Sequence, residues 1–284
     1  MHQDFNPHIR WQCPRCGAAV HAASESFTCI GCGTIYPVKH GVADFRLNGK
    51  DEVTESFDIR IRNFFKRWPR AYYFIATIFG PLMFTGISPK KFATRYCTPD
   101  LLSVNIGSGP RPLVAGILNL DIVPYKGVSV IADTVRTPFA TNSVDVVVCN
   151  EVIEHVERPE ELAREIARIV TPGGSVYLTM PFLYPFHASP SDFSRWTEPG
   201  VALLFSDFTV REKGVRAGPF SALTVLCCYL FATVFSFNSK QLFWILMNVS
   251  LFIFFPIKIF DLIVFRFSTA PYAAALTYYV LQKK

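Results

Sequence analysis

The 284-residue sequence predicts an α/β fold: a doubly wound, mostly parallel sheet, preceded by a four-cysteine module and interrupted before its last strand by an apolar helical hairpin. Three observations predict it. Between residues 102 and 181, short apolar runs alternate with glycine or polar turns, as in a sheet that holds a nucleoside at its strand C-termini. Four cysteines between residues 13 and 32 stand in two C-x2-C pairs. Residues 217–265 carry only Lys240, Lys258 and Asp261 as charges.

Composition narrows the class. Half the residues are hydrophobic, 27 are Phe, and the mean hydropathy of +0.27 is high for a soluble enzyme. The net charge of +6 is too weak to imply nucleic acid alone and suits an anionic membrane surface about as well. The eight cysteines are not a disulfide framework: four belong to the N-terminal pattern, and Cys97, Cys149, Cys227 and Cys228 lie in apolar contexts as packing thiols. Reduced thiols imply a cytosolic soluble part. The first 30 residues lack a charged segment followed by an apolar core, so no cleavable signal peptide is expected.

The first element is a zinc ribbon over residues 1–46. Cys13-Pro14-Arg15-Cys16 and Cys29-Ile30-Gly31-Cys32 are separated by twelve residues, and a glycine follows each second cysteine. Four thiolates suit tetrahedral Zn2+ with no open position, hence a structural site. His21, between the pairs, is read as a surface residue. With the run Tyr36-Pro37-Val38-Lys39-His40-Gly41-Val42-Ala43-Asp44-Phe45, residues 11–46 resemble the zinc-ribbon activator subunit of RNA and protein methyltransferases. So small a unit is expected to owe much of its stability to the metal. Residues 47–97 read as a helical connector. Asp51 to Arg70 is charged and amphipathic, and the uncharged stretch Tyr72 to Ile87, broken by Gly80-Pro81 and short for a span, is read as an interfacial or packed helix pair, with a third transmembrane segment the alternative.

The main domain is assigned to residues 98–284. Val104 and Ile106 make the first strand, and Gly107-Ser108-Gly109 the turn after it. Asp121 ends the second strand and Asp133 the third; Val144–Cys149 is the fourth, followed by Asn150 and Glu151. Pro159–Val170 reads as an amphipathic helix with Leu162, Ile166, Ile169 and Val170 inward, and Pro172-Gly173-Gly174 as its stop and the turn into strand five. These blocks in this order resemble the class I S-adenosylmethionine-dependent methyltransferases, the type 11 branch in particular.

The resemblance implies a Rossmann-like sheet and S-adenosyl-L-methionine as cofactor. It implies that Gly107, Ser108 and Gly109 approach the methionine part, whose charged groups turn and helix-terminus backbone would hold. It also implies that Asp121 accepts the ribose hydroxyls, that Asp133 contacts the adenine amino group, and that Asn150 and Glu151 stand near the methyl donor. Two positions depart from the family pattern: Asn105 stands where an acidic residue is usual, and Arg111 replaces the third glycine. Asn105 can still hydrogen-bond the amino group, and Arg111-Pro112 suggests a shortened first helix. His155 is read either as lining the pocket or as bracing the start of the next helix.

Strand five leads into Pro181 to Thr197, where this class builds its acceptor pocket. His187 is the candidate base, because a neutral imidazole can take a hydroxyl proton. Asp192 could orient His187 or bind substrate, and Arg195 could bind an anionic group; alternatively the two pair to hold the loop closed. The absence of Asn-Pro-Pro-Tyr at position 150 lowers the expectation of base or amide N-methylation and leaves O-methylation ahead.

Phe208–Lys213 and Ala273–Lys284 read as strands six and seven. Between them Ala217–Ser239 runs 23 residues without charge and Gln241–Ile257 another 17. Both ends lie on one sheet, so residues 217–265 should form a hairpin that spans twice or re-enters. Arg211, Lys213, Arg216, Arg266, Lys283 and Lys284 at its base agree with a catalytic domain facing the cytosol from the inner or cytoplasmic membrane. A helix pair buried in a dimer is the alternative. The leading expectation is a methyltransferase of a lipid-linked or amphiphilic acceptor. RNA methylation through the ribbon is second, with hairpin and mild charge against it. A non-enzymatic membrane scaffold is third.

Overall fold

The computed structural model describes residues 9–23, 25–47, 78–110, 112–187 and 191–284. The connector reading for residues 48–77 and the Arg111 departure therefore lie outside the described residues.

Eleven strands form one sheet. In chain order they are β1 (Val20–Ala22), β2 (Ser26–Cys29), β3 (Ile35–Lys39), β4 (Val42–Asp44), β5 (Ser103–Ile106), β6 (Leu118–Asp121), β7 (Val130–Ile131), β8 (Val144–Asn150), β9 (Val170–Pro181), β10 (Phe208–Ala217) and β11 (Leu276–Lys283). Their spatial order is β1-β2-β3-β4-β7-β6-β5-β8-β9-β11-β10. From β7 to β9 the pairings are parallel, and β11 is antiparallel to both β9 and β10. The chain reverses direction across β5, so the C-terminal ends of β5, β6, β8 and β9 open on one edge, where such sheets hold ligands.

Side chains alternate across the sheet with the strand period of two. On β8, Val147 and Cys149 enter one core with Val104, Ile106 and Leu162; Val146 and Val148 enter the other with Phe92, Tyr177 and Tyr278. Helix α1 (Pro89–Tyr96) covers the second face. Its N-cap Ser88 Oγ accepts from Lys91 N at 3.0 Å, and Phe92 stacks on Tyr96 at 4.4 Å. Helix α2 (Pro159–Ile169) covers the first face with Leu162, Ala163, Ile166 and Ile169 buried; of the expected inward set, Val170 belongs instead to β9, and Ala163 joins it.

Several boundaries differ from the sequence reading. Among the described residues no helix joins β5 to β6: residues 107–110 and 112–117 are turns, a bend and irregular backbone. Pro110 and Pro112 cannot donate, Gly109 and Gly116 hold positive φ, and eleven residues leave little room for a helical crossover. Leu113, Val114 and Ile117 pack on the sheet in its place. Pro172-Gly173-Gly174 is not a turn ahead of strand five. Val170 already pairs with Val144, and the three residues form an irregularity inside β9. Strand six extends to Ala217, and the last strand starts at Leu276 rather than Ala273.

The cysteine module is joined to the sheet rather than standing apart. β4 pairs in parallel with β7, and Phe45 N donates to Ile131 O at 2.7 Å. Trp11 stacks on Phe45 at 5.5 Å and on Phe139 of the main domain at 5.6 Å. Arg168 of α2 donates to Gln12 Oε1 at 2.6 Å and Phe139 O at 2.8 Å while paired with Glu165. The module thus shares a hydrophobic core with the main sheet, and metal is not its only source of stability.

Between β10 and β11 the chain leaves the sheet as α4 (Pro219–Phe235) and α5 (Lys240–Phe254), after α3 (Glu198–Leu204). A 3-10 stretch, Phe255–Phe260, and α6 (Asp261–Val264) lead back. The two in-span charges turn inward. Asp261 is fully buried and accepts from the amides of Gly218, Phe220 and Ser221 at 2.8–3.1 Å, capping α4 where its dipole favours an anion. Lys258 is buried and donates to Gly80 O. The outer face keeps Leu226, Leu230, Val234, Ile245, Val249 and Ile253 exposed. The run Lys240–Val264 is long and apolar enough to cross a membrane, with 11% of its most apolar window buried.

Replacing Trp11 by Ala should cost about 3–5 kcal/mol of stability, because the ring fills the seam between module and sheet. Urea denaturation followed by circular dichroism checks this. A loss well under 1 kcal/mol would mean that the two parts fold independently.

Candidate functional site

The turn after β5 sets the geometry. Gly107 and Gly109 both hold φ in the left-handed region, at 64° and 61°. A Cβ on Gly107 would lie 2.4 Å from Val152 Cγ2, whereas one on Gly109 would meet nothing within 4 Å. The first glycine is needed for packing, and the second leaves open space beside the turn. Asn105, Gly107, Ser108, Pro110, Leu113 and Asn150 line a cavity of about 290 Å3 there.

The structure brings together Asn105, Gly107, Ser108 and Asn150 of the residues expected at the cofactor. Asn105 is buried and donates to Asn119 Oδ1 at 3.1 Å. Asn150 Oδ1 accepts from Thr179 Oγ1 at 2.8 Å. Asp121 stands behind the turn: Oδ2 accepts from Gly109 N at 2.8 Å and Oδ1 from Val123 N at 2.9 Å. Burial raises its pKa, and these amides offset part of the rise. Asp133 is not among the cavity's lining residues. It is exposed, two residues past β7, with Oδ1 accepting from Val135 N at 3.0 Å. Glu151 follows Asn150 with φ of 55°, a strained backbone for a non-glycine residue, and burial raises its carboxyl pKa. Among the described residues no helix follows the turn, so the expected helix-terminus contribution to cofactor binding is not seen there. Only the turn's own amides are available.

The loop after β9 gathers His187, Asp192 and Arg195. Arg195 Nη2 donates to Asp192 Oδ2 at 2.7 Å, and Nη1 binds Oδ1. The same Asp192 Oδ2 accepts from His187 N at 2.8 Å and lies 3.2 Å from His187 Nδ1. Asp192 therefore both orients His187 and ties Arg195, combining two roles that the sequence leaves as alternatives. Burial alone would raise Asp192, but hydrogen bonds from Arg195 and the His187 amide outweigh it and hold the pKa at about 2. Burial lowers His187, with Asp192 opposing. Arg195 is spent on Asp192 and on the carbonyls of Tyr184 and Pro185, so it braces the loop. Tyr184, Phe186, Asp192, Phe193, Ser194 and Arg195 line a second cavity of about 250 Å3. His155 lies in a 3-10 turn, Ile153–His155, separate from α2; its ring meets His187 edge-on at 5.1 Å. Sequence reasoning missed Glu154, which is fully buried beneath these histidines with its pKa pushed up to about 8 by burial. A charged residue between Ile153 and His155 was the available signal.

In the N-terminal module the Sγ atoms of Cys13, Cys16, Cys29 and Cys32 all lie within 4.8 Å of one another. Cys13–Cys32 is 3.8 Å and Cys16–Cys29 is 3.4 Å. A tetrahedron of about 2.3 Å metal–sulfur bonds has edges of roughly 3.8 Å, so the four thiolates can hold one zinc-sized ion. His21 is exposed and outside the cluster.

The strand order and the glycine turn are those of a Rossmann-like sheet, and part of the chain is similar to methyltransferases. Residues 114–178 match the family described as "Methyltransferase domain". An uncharacterized methyltransferase of Mycobacterium leprae (strain Br4923) is 31% identical over 106 residues, 37% of this chain and 39% of the relative. One from Mycobacterium tuberculosis (strain ATCC 25177 / H37Ra) is 33% identical over 106 residues, 37% of this chain and 41% of the relative. The chain thus spans about two fifths of the length of the curated relatives it matches. Among solved structures, a chain from the Haloferax volcanii complex of the Trm112 methyltransferase activator with a methyltransferase aligns at 18% identity and TM-score 0.43, covering 78% of this chain and 97% of that one. Geranyl diphosphate C-methyltransferase from Streptomyces coelicolor A3(2) aligns at 10% identity and TM-score 0.41, covering 69% and 76%.

Gly107→Ala should disrupt the turn, since the new methyl meets Val152 and φ must change. Affinity for S-adenosylhomocysteine, measured calorimetrically, is expected to fall by roughly tenfold or more, equivalent to about 1.4 kcal/mol. Undiminished binding would remove this turn from the cofactor site.

Proposed function

We propose that this chain is an S-adenosylmethionine-dependent methyltransferase of a hydroxyl on a lipid-linked or amphiphilic acceptor, working at the cytosolic face of a membrane. The cofactor would supply an activated methyl group. Asn105 and the Gly107–Gly109 turn would hold its methionine part, Asp121 its ribose, and Asn150 and Glu151 the region of the methyl donor. Asp133, on the surface, would reach an adenine amino group only with movement of its turn. The open space beside Gly109 and the polar rim of Asn105 and Asn150 fit such a group.

The observation that carries the acceptor reading is the contact between acceptor loop and hairpin. Tyr229 of α4 donates to Phe186 O at 2.9 Å, and Tyr184 packs where Ala217, Ala222, Ala275 and Leu276 meet. An apolar substrate held against the exposed face of α4 and α5 would therefore lie beside His187. Nε2 of His187 is the candidate to accept the hydroxyl proton, with Asp192 orienting the ring. Positioning of acceptor, methyl and sulfur in line would supply much of the rate. The four cysteines would hold structural Zn2+. Membrane insertion of residues 217–265 is supported by the long apolar run Lys240–Val264 and by the inward turn of Lys258 and Asp261.

The test is methyl transfer from labelled S-adenosylmethionine by the full-length protein in detergent, offered a lipid extract and, separately, total RNA. Label is expected in the organic phase. Label in RNA alone would overturn the acceptor assignment in favour of nucleic acid. Replacing residues 219–274 by a short Gly-Ser turn should leave cofactor binding intact and reduce transfer to lipid.

Zinc should be stoichiometric with the chain. Cys29→Ser is expected to lower bound zinc sharply and loosen the module while the main sheet remains folded, because the seam at Trp11 does not need the metal. Elemental analysis that finds no zinc in the wild-type protein would refute the structural site.

A further inference from the structure

A second group of ligand-type side chains lies under the acceptor loop. Glu154 is fully buried, and neither of its carboxylate oxygens has a hydrogen-bond partner. Nε2 of His155 and Nε2 of His187 each lie 3.9 Å from Glu154 Oε1, and one ligand atom from each of the three residues lies within 4.8 Å of the others. One contact fixes the tautomer of His155. His155 Nδ1 is 2.5 Å from Ser191 O, a carbonyl that can only accept, so that nitrogen carries the proton. His187 Nδ1 faces Asp192 Oδ2 at 3.2 Å. Arg195 Nη2, which donates to Asp192 Oδ2 at 2.7 Å, lies 3.4 Å from the same nitrogen, so both a donor and an acceptor face His187 Nδ1.

Nε2 of His155 consequently turns a lone pair toward the unpartnered Glu154 carboxyl, and Nε2 of His187 approaches the same oxygen from the other side. A separation of 3.9 Å is too long for a shared proton. It suits two ligands on one cation, since bonds of about 2.0–2.2 Å on either side span up to roughly 4 Å. Each imidazole is also backed by an oxygen acceptor, the usual second layer around metal-bound histidine.

We propose that Glu154, His155 and His187 form a divalent-metal site, distinct from the four-cysteine cluster, that takes a first-row transition cation such as Mn2+ or Co2+. Nitrogen and carboxylate donors select such ions over the thiolate-preferring ones. Three protein ligands leave positions open for an oxygen of the acceptor, whose proton affinity the cation would lower; with the cation bound, His187 Nε2 is a ligand and not the base. This last role rests on the methyl-transfer reading; the site itself does not.

The experiment titrates full-length, zinc-containing protein in detergent with MnCl2 and follows free Mn2+ by electron paramagnetic resonance. Wild-type protein should bind a single Mn2+ per chain. Glu154→Gln, which keeps the buried shape, and His155→Ala should each weaken that binding by roughly tenfold or more. Zinc content and far-ultraviolet circular dichroism should stay at wild-type values, which separates a lost site from a lost fold. If Glu154→Gln does not fold, His155→Ala carries the test. Wild-type protein that binds neither Mn2+ nor Co2+, or variants that bind as tightly as wild type, would overturn the proposal. No acceptor or methyl transfer enters the readout, so failure of the methyltransferase reading would leave this result standing, and the reverse.

Discussion

The pairing of β5 between β6 and β8 is the constraint on which the site depends. Asn105 stands opposite Asn119 on one side and Val148 on the other, and Ile106 opposite Cys149. Because both pairings are parallel, the chain leaves these strands on one edge. A slip of one residue would exchange Val104 and Ile106 with Ser103 and Asn105 across the sheet, placing polar groups in the larger core and taking Asn105 from the cavity. Asp121 reinforces this register from the neighbouring strand by holding Gly109 N. The glycine turn is therefore held by hydrogen bonds to β6, through Leu120 O and Asp121 Oδ2.

Two attachments extend this sheet, and each solves a burial problem through a few polar contacts. On one side the cysteine module continues the sheet through β4 and shares Trp11 and Phe139 with it. On the other, α4 and α5 depart between β10 and β11, and Asp261 anchors the base of α4 through three amides. An uncompensated buried carboxylate would be costly there, but the helix start supplies the donors that its first turn leaves unpaired. The hairpin is thereby fixed to the sheet at its base while its outer surface stays apolar.

Much of this was legible in the sequence because it depends on short-range pattern. Strand runs such as Val144–Cys149, the inward face of the helix starting at Pro159, and the cysteine spacing all emerge from periodicity and turn chemistry. What the sequence concealed depends on contacts between distant residues. Asp121 reads as a strand-end acid, but that its oxygens meet Gly109 and Val123 requires the folded turn. Lys258 and Asp261 look like interruptions of an apolar helix until tertiary packing turns both inward. Glu154 looks like one more acidic residue, and only the return of the loop carrying His187 encloses it. The missing helix after Gly109 was partly signalled by Pro110 and Pro112, whose lost donors disfavour it.

The parallel pairing of β4 with β7 also bears on how the chain survives synthesis. β7 pairs with β4 through only two residue pairs, and its outward backbone groups are covered by the amides and carbonyls of residues 43–45. If the cysteine module failed to close, that side of the sheet would present open peptide groups bordered by Val130 and Ile131, a template for strands of other molecules. The module thus acts as an edge guard, occupying pairing positions on β7 that strands of other molecules could otherwise take.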